Sequence, residues 1–398
     1  MAIVFVNCFN EGKFVLIKDI SIDLQLDPGF SLRRSQQDLA TLGTRIELWW
    51  AAKRIGEHQI KVSDISAPDT GGVANETLFI SAHYVDNNNT KGINIEFVLR
   101  LEGEEFLYPE ADLALHYDMY DRIRSISDVP VPRIFAFETD ISVLGTRFML
   151  MQRVPGRPVP DRPNYNYGGW LHDMPVRERE LVWQEAVGTM AALHQLDPSC
   201  FAGLQSKDPV ANGLAENLAY WRRYAQWCNG DGVNLICIAE EWLSKMLPKA
   251  NDTHACISWG DARMQNLMFE GTQCTALLDW DMVSLAGAEA DLAWWTIADH
   301  KYTASRGVQR LAGIGSPGDT MRLWEAITGR KLKCMDWHLV FAAYRQALVS
   351  IQLSNLHSAA VGYVPKITEP SIGLQWLSQL LEVPLGADIT LPFVGLEK

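Results

Sequence analysis

Three polar side chains in one short stretch carry oxygen atoms at a spacing that could serve chemistry. Asp261, Asn266 and Asp279 stand five and then thirteen residues apart in an otherwise largely apolar segment. The runs "NLMF" and "CTALLDW", with "EGTQ" between them, predict a tight β-hairpin that brings Asn266 and Asp279 together at its open end. One neutral and one charged oxygen ligand suit Mg²⁺, which shares its other positions with water and phosphate oxygens.

Asp261 and Arg263 occupy the turn that leads into this hairpin. A carboxylate that does not bind the metal can orient a hydroxyl group and accept its proton. An arginine beside it can offset the charge of a phosphoryl group in transit. The pair is therefore the candidate catalytic group for phosphoryl transfer to a hydroxyl. The alternative is that these residues, with Asn266 and Asp279, are ordinary polar turn and strand-end residues.

The composition limits the possible partners and compartments. A length of 398 residues with 47% hydrophobic residues is natural for two lobes with a sizeable core. A net charge of −13 disfavours a nucleic-acid partner. Seven cysteines without a C-x-x-C pair predict a reduced, cytoplasmic protein. No apolar run is long enough to predict a membrane span, and the oligomeric state is left open.

The elements that must position these residues change in character along the chain. Strand-like segments with one or two helices come first, and periodic helices dominate after the Pro- and Gly-rich stretch at 155–169. This pattern predicts the α+β class with an antiparallel sheet. The predicted strands cover 59–68, 77–85, 93–102 and 147–154, and the predicted helices cover 31–56, 110–126, 175–197, 213–228, 234–250, 287–304, 319–329 and 336–357.

The motif D-x-R-x-x-N, followed thirteen residues later by D-W-D, resembles the aminoglycoside phosphotransferase family. It is also similar to the kinase domain fused to some acyl-CoA dehydrogenases. "GGVANETLFI", "FVLR" and "AALHQLD" extend the resemblance over roughly residues 40–357. The resemblance implies a two-lobed, protein-kinase-like fold. Its N-lobe would comprise residues 1–153, with the antiparallel sheet, and its helical C-lobe residues 154–398.

The resemblance also implies cofactors and residue roles. ATP or GTP would donate its γ-phosphoryl group with Mg²⁺ on Asn266 and Asp279, and Asp261 would be the base beside Arg263. Asp291 would brace the catalytic loop, whereas Asp281 could assist the metal or only border the site. The implied nucleotide-binding residues are Gly71, Gly72, Asn75, Arg100, Gln152 and Val154.

Two positions depart from the family pattern. Trp259 stands where the family has a His before Gly-Asp, and His116 stands where a helix usually supplies a Glu to the base on the third strand. Glu110 or Asp112 could replace that Glu, or the phosphate clamp could work without its usual ion pair. Two functions therefore stay open. The first is a small-molecule kinase acting on an aminoglycoside, a hydroxyacyl thioester, a macrolide or another alcohol. The second is a nucleotide-binding module that is weakly catalytic or inactive.

Overall fold

The computed structural model of the chain describes residues 39–55, 58–68, 75–85, 91–103, 107–109, 112–204, 213–249, 255–361 and 370–385. The strands are β1 (Gln59–Ser66), β2 (Asn75–Val85), β3 (Lys91–Glu102), β4 (Ile134–Glu138), β5 (Phe148–Gln152), β6 (Arg157–Pro158), β7 (Leu267–Glu270) and β8 (Gln273–Leu277). The α-helices are α1 (Leu39–Lys53), α2 (Leu113–Ile126), α3 (Trp170–Asp173), α4 (Val176–His194), α5 (Gly213–Trp227), α6 (Asn234–Lys245), α7 (Ala288–Tyr302), α8 (Pro317–Thr328), α9 (Met335–Val361) and α10 (Ile372–Leu380).

The first half of the chain builds a five-stranded sheet in the order β1-β2-β3-β5-β4, and every neighbouring pair is antiparallel. Side chains alternate between the two faces of a strand, and β5 shows the consequence. Phe148 and Leu150 pack into the core that includes α1. Met149 and Met151 join the core that includes α2. The sheet is therefore covered by one helix on each face.

The described residues after β5 are mainly helical, with a small sheet of β6, β7 and β8. Two apolar cores meet along α7. Leu292 and Trp295 of that helix belong to one core, and Trp294 and Ile297 belong to the other. A helix that is apolar on all sides is a buried helix. α7 is accordingly the element that contacts both the loop before the β7–β8 hairpin and the long helix α9.

The α+β prediction with an antiparallel sheet followed by helices is confirmed. The predicted strands and the hairpin appear within a few residues of their expected bounds, and the helix predicted over 110–126 begins at Leu113. α10 was not predicted. It packs on α9 through Gly373, where a Cβ atom would come within 2.2 Å of the Ala347 backbone nitrogen. The lobe boundary between residues 153 and 154 stays a prediction.

Among the described residues, no helix combines the length and the apolar content needed to cross a membrane.

A buried carboxylate fastens α1 to the sheet. Glu138 at the end of β4 accepts hydrogen bonds from Trp49 Nε1 at 2.6 Å and from the Asp140 backbone N–H at 2.9 Å, and Lys53 Nζ lies 2.8 Å away. Burial alone would raise the pKa of Glu138. The hydrogen bonds from Lys53, Asp140 and Trp49 outweigh it and lower that pKa to about 2. The carboxylate is therefore ionised and engaged in the folded protein.

We expect Glu138→Gln to lower the free energy of unfolding by about 1–2 kcal/mol at neutral pH, because charge-assisted hydrogen bonds are lost. A folded pKa below the unfolded one gives stability that is complete above about pH 4.5 and is lost as the pH falls towards 2. Denaturant unfolding across this pH range would therefore show the two proteins converging in acid. Glu241→Gln on the exposed surface of α6 is the control. A difference that stays constant with pH would contradict the assignment.

Candidate active site

The β7–β8 hairpin brings the predicted site residues together. Leu267 pairs with Leu277, and the Leu278 N–H donates to the backbone oxygen of Asn266 at 2.9 Å, which closes the end of the ladder. Asn266 Nδ2 donates to Asp261 at both the backbone oxygen (3.0 Å) and Oδ2 (2.7 Å). The candidate base and one candidate metal ligand are thus in direct contact.

The loop before the hairpin is held by one carboxylate of α7. Asp291 is completely buried and accepts hydrogen bonds from Ser258 Oγ (2.7 Å), the Trp259 N–H (2.6 Å), the Gly260 N–H (2.8 Å) and His194 Nε2 (2.8 Å). A buried charge is tolerated when hydrogen bonds satisfy it in this way. Asp291 therefore braces the loop, which is the role that the family resemblance implied for it.

The geometry around Asp291 also determines how His194 is protonated. Trp324 Nε1 donates to His194 Nδ1 at 2.9 Å, and an indole nitrogen can only donate. Nδ1 is therefore an acceptor, and the proton on Nε2 is the one given to Asp291. His194 is buried and serves the structure of the loop.

Glycine is required at position 260. Its φ is +93°, and a Cβ atom there would lie 2.0 Å from the backbone oxygen of Met282. The loop consequently passes close to the segment that follows Asp279, and the two halves of the site are packed backbone to backbone.

Trp259 closes the loop in the place where the family pattern has His. Its ring is buried, and its Nε1 atom donates to the backbone oxygens of Leu278 at 2.8 Å and Asp279 at 3.1 Å. This substitution therefore links the catalytic loop to the end of β8.

The carboxylate of Asp261 is surrounded by donors. Trp294 Nε1 donates to Oδ1 at 2.6 Å, while Arg263 Nε at 3.0 Å and Asn266 Nδ2 donate to Oδ2. Arg263 Nη1 in turn lies 3.3 Å from Asp161 Oδ1. A carboxylate offers about four acceptor positions. Oδ1 therefore keeps a position at which an incoming hydroxyl could donate.

Asp279 has the properties of a metal ligand. Burial raises its pKa well above the ordinary value, and the neighbouring carboxylates of Asp281 and Asp261 raise it further. Its Oδ1 atom is buried without a hydrogen-bond partner. Its backbone adopts the left-handed conformation with φ of 68°, which is costly for residues other than glycine. A divalent cation beside Asn266 and Asp279 would fit this donor set.

His116 lies between Arg100 and Asp281. Arg100 Nη1 approaches His116 Nδ1 at 3.3 Å, and His116 Nε2 lies 2.6 Å from Asp281 Oδ1. A guanidinium group can only donate, so Nδ1 accepts and Nε2–H donates to Asp281. Burial alone would raise the pKa of Asp281, but His116 and Arg100 hold it below its ordinary value. The carboxylate opposite Arg100 is therefore supplied by Asp281 through an imidazole.

Asp112 does not take the place of the missing Glu, contrary to one of the alternatives considered. Its side chain caps α2 by accepting from the Ala114 N–H at 2.9 Å, and it faces Arg147 at 3.2 Å. Glu110, the other alternative, lies outside the described residues.

The remaining nucleotide-binding candidates are positioned only in part. Gly71 and Gly72 lie outside the described residues, and Asn75 is the first residue of β2. Gln152 ends β5, where its backbone N–H donates to the Arg133 oxygen at 2.8 Å, and Val154 follows as a half-buried residue. Their roles at a nucleotide stay predictions.

Trp294 was not identified from the sequence, although a signal was present. It follows Asp291 by three residues on the same predicted helix, and residues three apart lie on one helix face. Once Asp291 was assigned to the loop, Trp294 should have been placed beside the same loop.

We expect Asp291→Asn to lower the free energy of unfolding by about 3 kcal/mol or more, because a buried, fully hydrogen-bonded charge is removed and an amide group faces backbone donors. Chemical denaturation followed by tryptophan fluorescence would measure the change. Asp121→Asn, on the exposed side of α2, is the control. A loss below about 1 kcal/mol, the ordinary size for a point mutation, would show that Asp291 does not hold the loop.

Solved structures share this architecture. A candidate aminoglycoside phosphotransferase from Ralstonia eutropha superposes with a TM-score of 0.62 at 21% identity, covering 84% of this chain and 98% of that one. A variant of aminoglycoside phosphotransferase APH(4)-Ia, solved with AMP-PNP and hygromycin B, superposes with a TM-score of 0.52 at 14% identity, covering 86% and 99%. These likenesses confirm the two-lobed, kinase-like fold.

Human acyl-CoA dehydrogenase family member 11 is 27% identical over 204 residues, which are 50% of this chain and 25% of that protein. The chain thus spans about a quarter of the length of this curated relative. The model of the phosphotransferase enzyme family (APH) matches residues 68–326, well over half of the chain. The chain therefore belongs to the phosphotransferase enzyme family.

Proposed function

We propose that this protein is a small-molecule kinase that transfers the γ-phosphoryl group of ATP or GTP to a hydroxyl group of its acceptor. The observation that carries the proposal is the contact of Asn266 with Asp261 at the open end of the hairpin, next to the buried, unpartnered Oδ1 of Asp279. Family membership supports phosphoryl transfer. The complex of APH(4)-Ia with AMP-PNP and hygromycin B supports a nucleotide donor and a small hydroxylated acceptor.

Asp261 would act as the base. The acceptor hydroxyl donates to the open position on Oδ1, and its oxygen attacks the γ-phosphorus atom. The bond from that phosphorus to the bridging oxygen breaks as the nucleoside diphosphate leaves, and the hydroxyl proton passes to Asp261. Trp294 and Asn266, which hold the two carboxylate oxygens, orient the base for this step.

Arg100 and Arg263 would face the phosphates from two sides. Arg100 is positioned by His116, and Arg263 by Asp261 and Asp161. When bound by Asn266 and Asp279, Mg²⁺ would neutralise charge that develops on the phosphate oxygens. The chain's own contribution is to place these donors before the substrates arrive.

Asp261→Asn tests the proposal. We expect phosphorylation of any alcohol that the wild type accepts to fall about a hundredfold or more, because an amide cannot take the proton. Stabilisation by Mg²⁺–ATP in a thermal-shift assay should persist. Labelled ATP with a broad panel of alcohols provides the measurement, and Asp121→Asn is the control variant.

Binding of Mg²⁺–ATP without Asp261-dependent turnover on the whole panel would instead favour a nucleotide-binding module without catalysis. Turnover that survives in Asp261→Asn would remove Asp261 from the role of base.

The His116 bridge leads to a second expectation. His116→Ala should raise the KM for ATP about tenfold, because Arg100 loses its link to Asp281. His116→Gln should stay close to the wild type, because its amide offers an acceptor to Arg100 and a donor to Asp281. Steady-state kinetics at varied ATP separates the two variants. Equal KM values for both would show that the bridge does not position Arg100.

A further inference from the structure

Arg345, in the middle of α9, is fully buried, yet none of its three guanidinium nitrogens has a hydrogen-bond partner among the described residues. It is surrounded by aromatic faces instead. Its guanidinium carbon lies 4.6 Å from the ring centre of Trp294, 5.2 Å from that of Phe341 and 5.7 Å from that of Trp221.

Such an environment is unfavourable for a cation. Aromatic faces attract a guanidinium group but recover only part of the hydration that burial removes. Burial lowers the pKa of Arg345 to about 10, against the opposing effects of Asp291, Tyr108 and Asp261, so the side chain stays charged at neutral pH. A buried cation of this kind calls for an anion.

The nearby carboxylates do not provide it. Asp291 accepts hydrogen bonds from three donors of the loop and from His194. Asp261 accepts hydrogen bonds from Trp294, Arg263 and Asn266. Neither forms an ion pair or hydrogen bond with Arg345. Within the part of the chain that the structure describes, the cation therefore has no anionic partner. One indole separates it from the candidate base, because Trp294 donates to Asp261 and presents its ring to Arg345.

We infer that Arg345 binds an oxyanion of the acceptor, which makes the acceptor a hydroxylated carboxylate or an alcohol that carries a phosphate group. The inference rests on the proposed function, because it assigns the acceptor of that same site. The acceptor hydroxyl would meet Asp261 while its anionic group pairs with Arg345. A polycationic aminoglycoside is disfavoured by the same charge.

Tyr108 packs beside the aromatic residues that surround Arg345. It packs on Trp221, whose ring Arg345 also contacts, with ring centres 6.4 Å apart. The neighbouring Leu107 oxygen accepts from Tyr224 Oη at 2.8 Å. Burial raises the pKa of Tyr108 well above its ordinary value, and the charge of Asp261 raises it further. Because Arg345 is fully buried, an acceptor reaches it only when neighbouring side chains move.

Paired acceptors provide the test. Hydroxycarboxylates of increasing chain length are compared with their methyl esters, and glycerol 3-phosphate with glycerol, using labelled ATP. We expect the wild type to prefer the anionic member of at least one pair about tenfold or more in kcat/KM. Arg345→Met should abolish that preference, and Arg345→Lys should keep part of it because the charge remains. The two pairs distinguish a carboxylate from a phosphate as the recognised group.

Stability separates a binding role from a packing role. Removing a buried cation without a partner should leave the Tm of Arg345→Met equal to or above that of the wild type. An unchanged anionic preference in Arg345→Met, or a wild type that prefers neutral or cationic alcohols, would overturn the inference while the proposed kinase function stands.

If no alcohol is phosphorylated, the proposed function is wrong. The inference that Arg345 binds an oxyanion is then tested by ligand binding alone. Inorganic phosphate and succinate are then titrated in a thermal-shift assay with Mg²⁺–AMP-PNP at saturation, so that the nucleotide site is filled. A rise in Tm that is present in the wild type and absent from Arg345→Met supports the oxyanion site. Equal shifts in both proteins, or none in either, would refute it.

Discussion

The site depends on one buried carboxylate. Asp291 reaches from α7 into the loop before the hairpin and gathers two backbone N–H groups, a serine hydroxyl and an imidazole. Isolated in an apolar core, this charge would be costly, and only the loop conformation that supplies those donors makes it tolerable. The direction of the Asp261 side chain, and with it the placement of Asn266, follows from that conformation.

Arg100 shows how the same requirement can be met by another arrangement. A cation on the third strand needs a carboxylate in reach, and here α2 carries His116 where the family pattern has Glu. The imidazole of His116 accepts a hydrogen bond from Arg100 and donates one to Asp281. A residue from the C-terminal half of the chain therefore supplies the carboxylate. The N-terminal sheet and the catalytic hairpin are thereby joined by a chain of hydrogen bonds instead of one ion pair.

Much of this arrangement could be predicted from the sequence because its signals are local. The hairpin appears in "NLMF" and "CTALLDW", and the bracing role of Asp291 was implied by the resemblance to the phosphotransferase family. The His116 bridge could not be predicted, since it depends on a contact between residues 165 positions apart. Arg345 was missed because two of the three aromatic side chains that enclose it, Trp221 of α5 and Trp294 of α7, are distant in sequence. Only Phe341, four residues earlier on α9, is a local neighbour.

The burial of residues 288–297 of α7 has a consequence for how this protein could diverge. Asp291 and Trp294 project from one helix and hold the loop before the hairpin together with the Asp261 carboxylate. The other aromatic side chains around Arg345 come from α5 and α9. Under the proposed function, substitutions in α5 and α9 would change the choice of acceptor while the Asp261 carboxylate keeps its direction. New acceptors could then be recruited without rebuilding the loop that α7 holds.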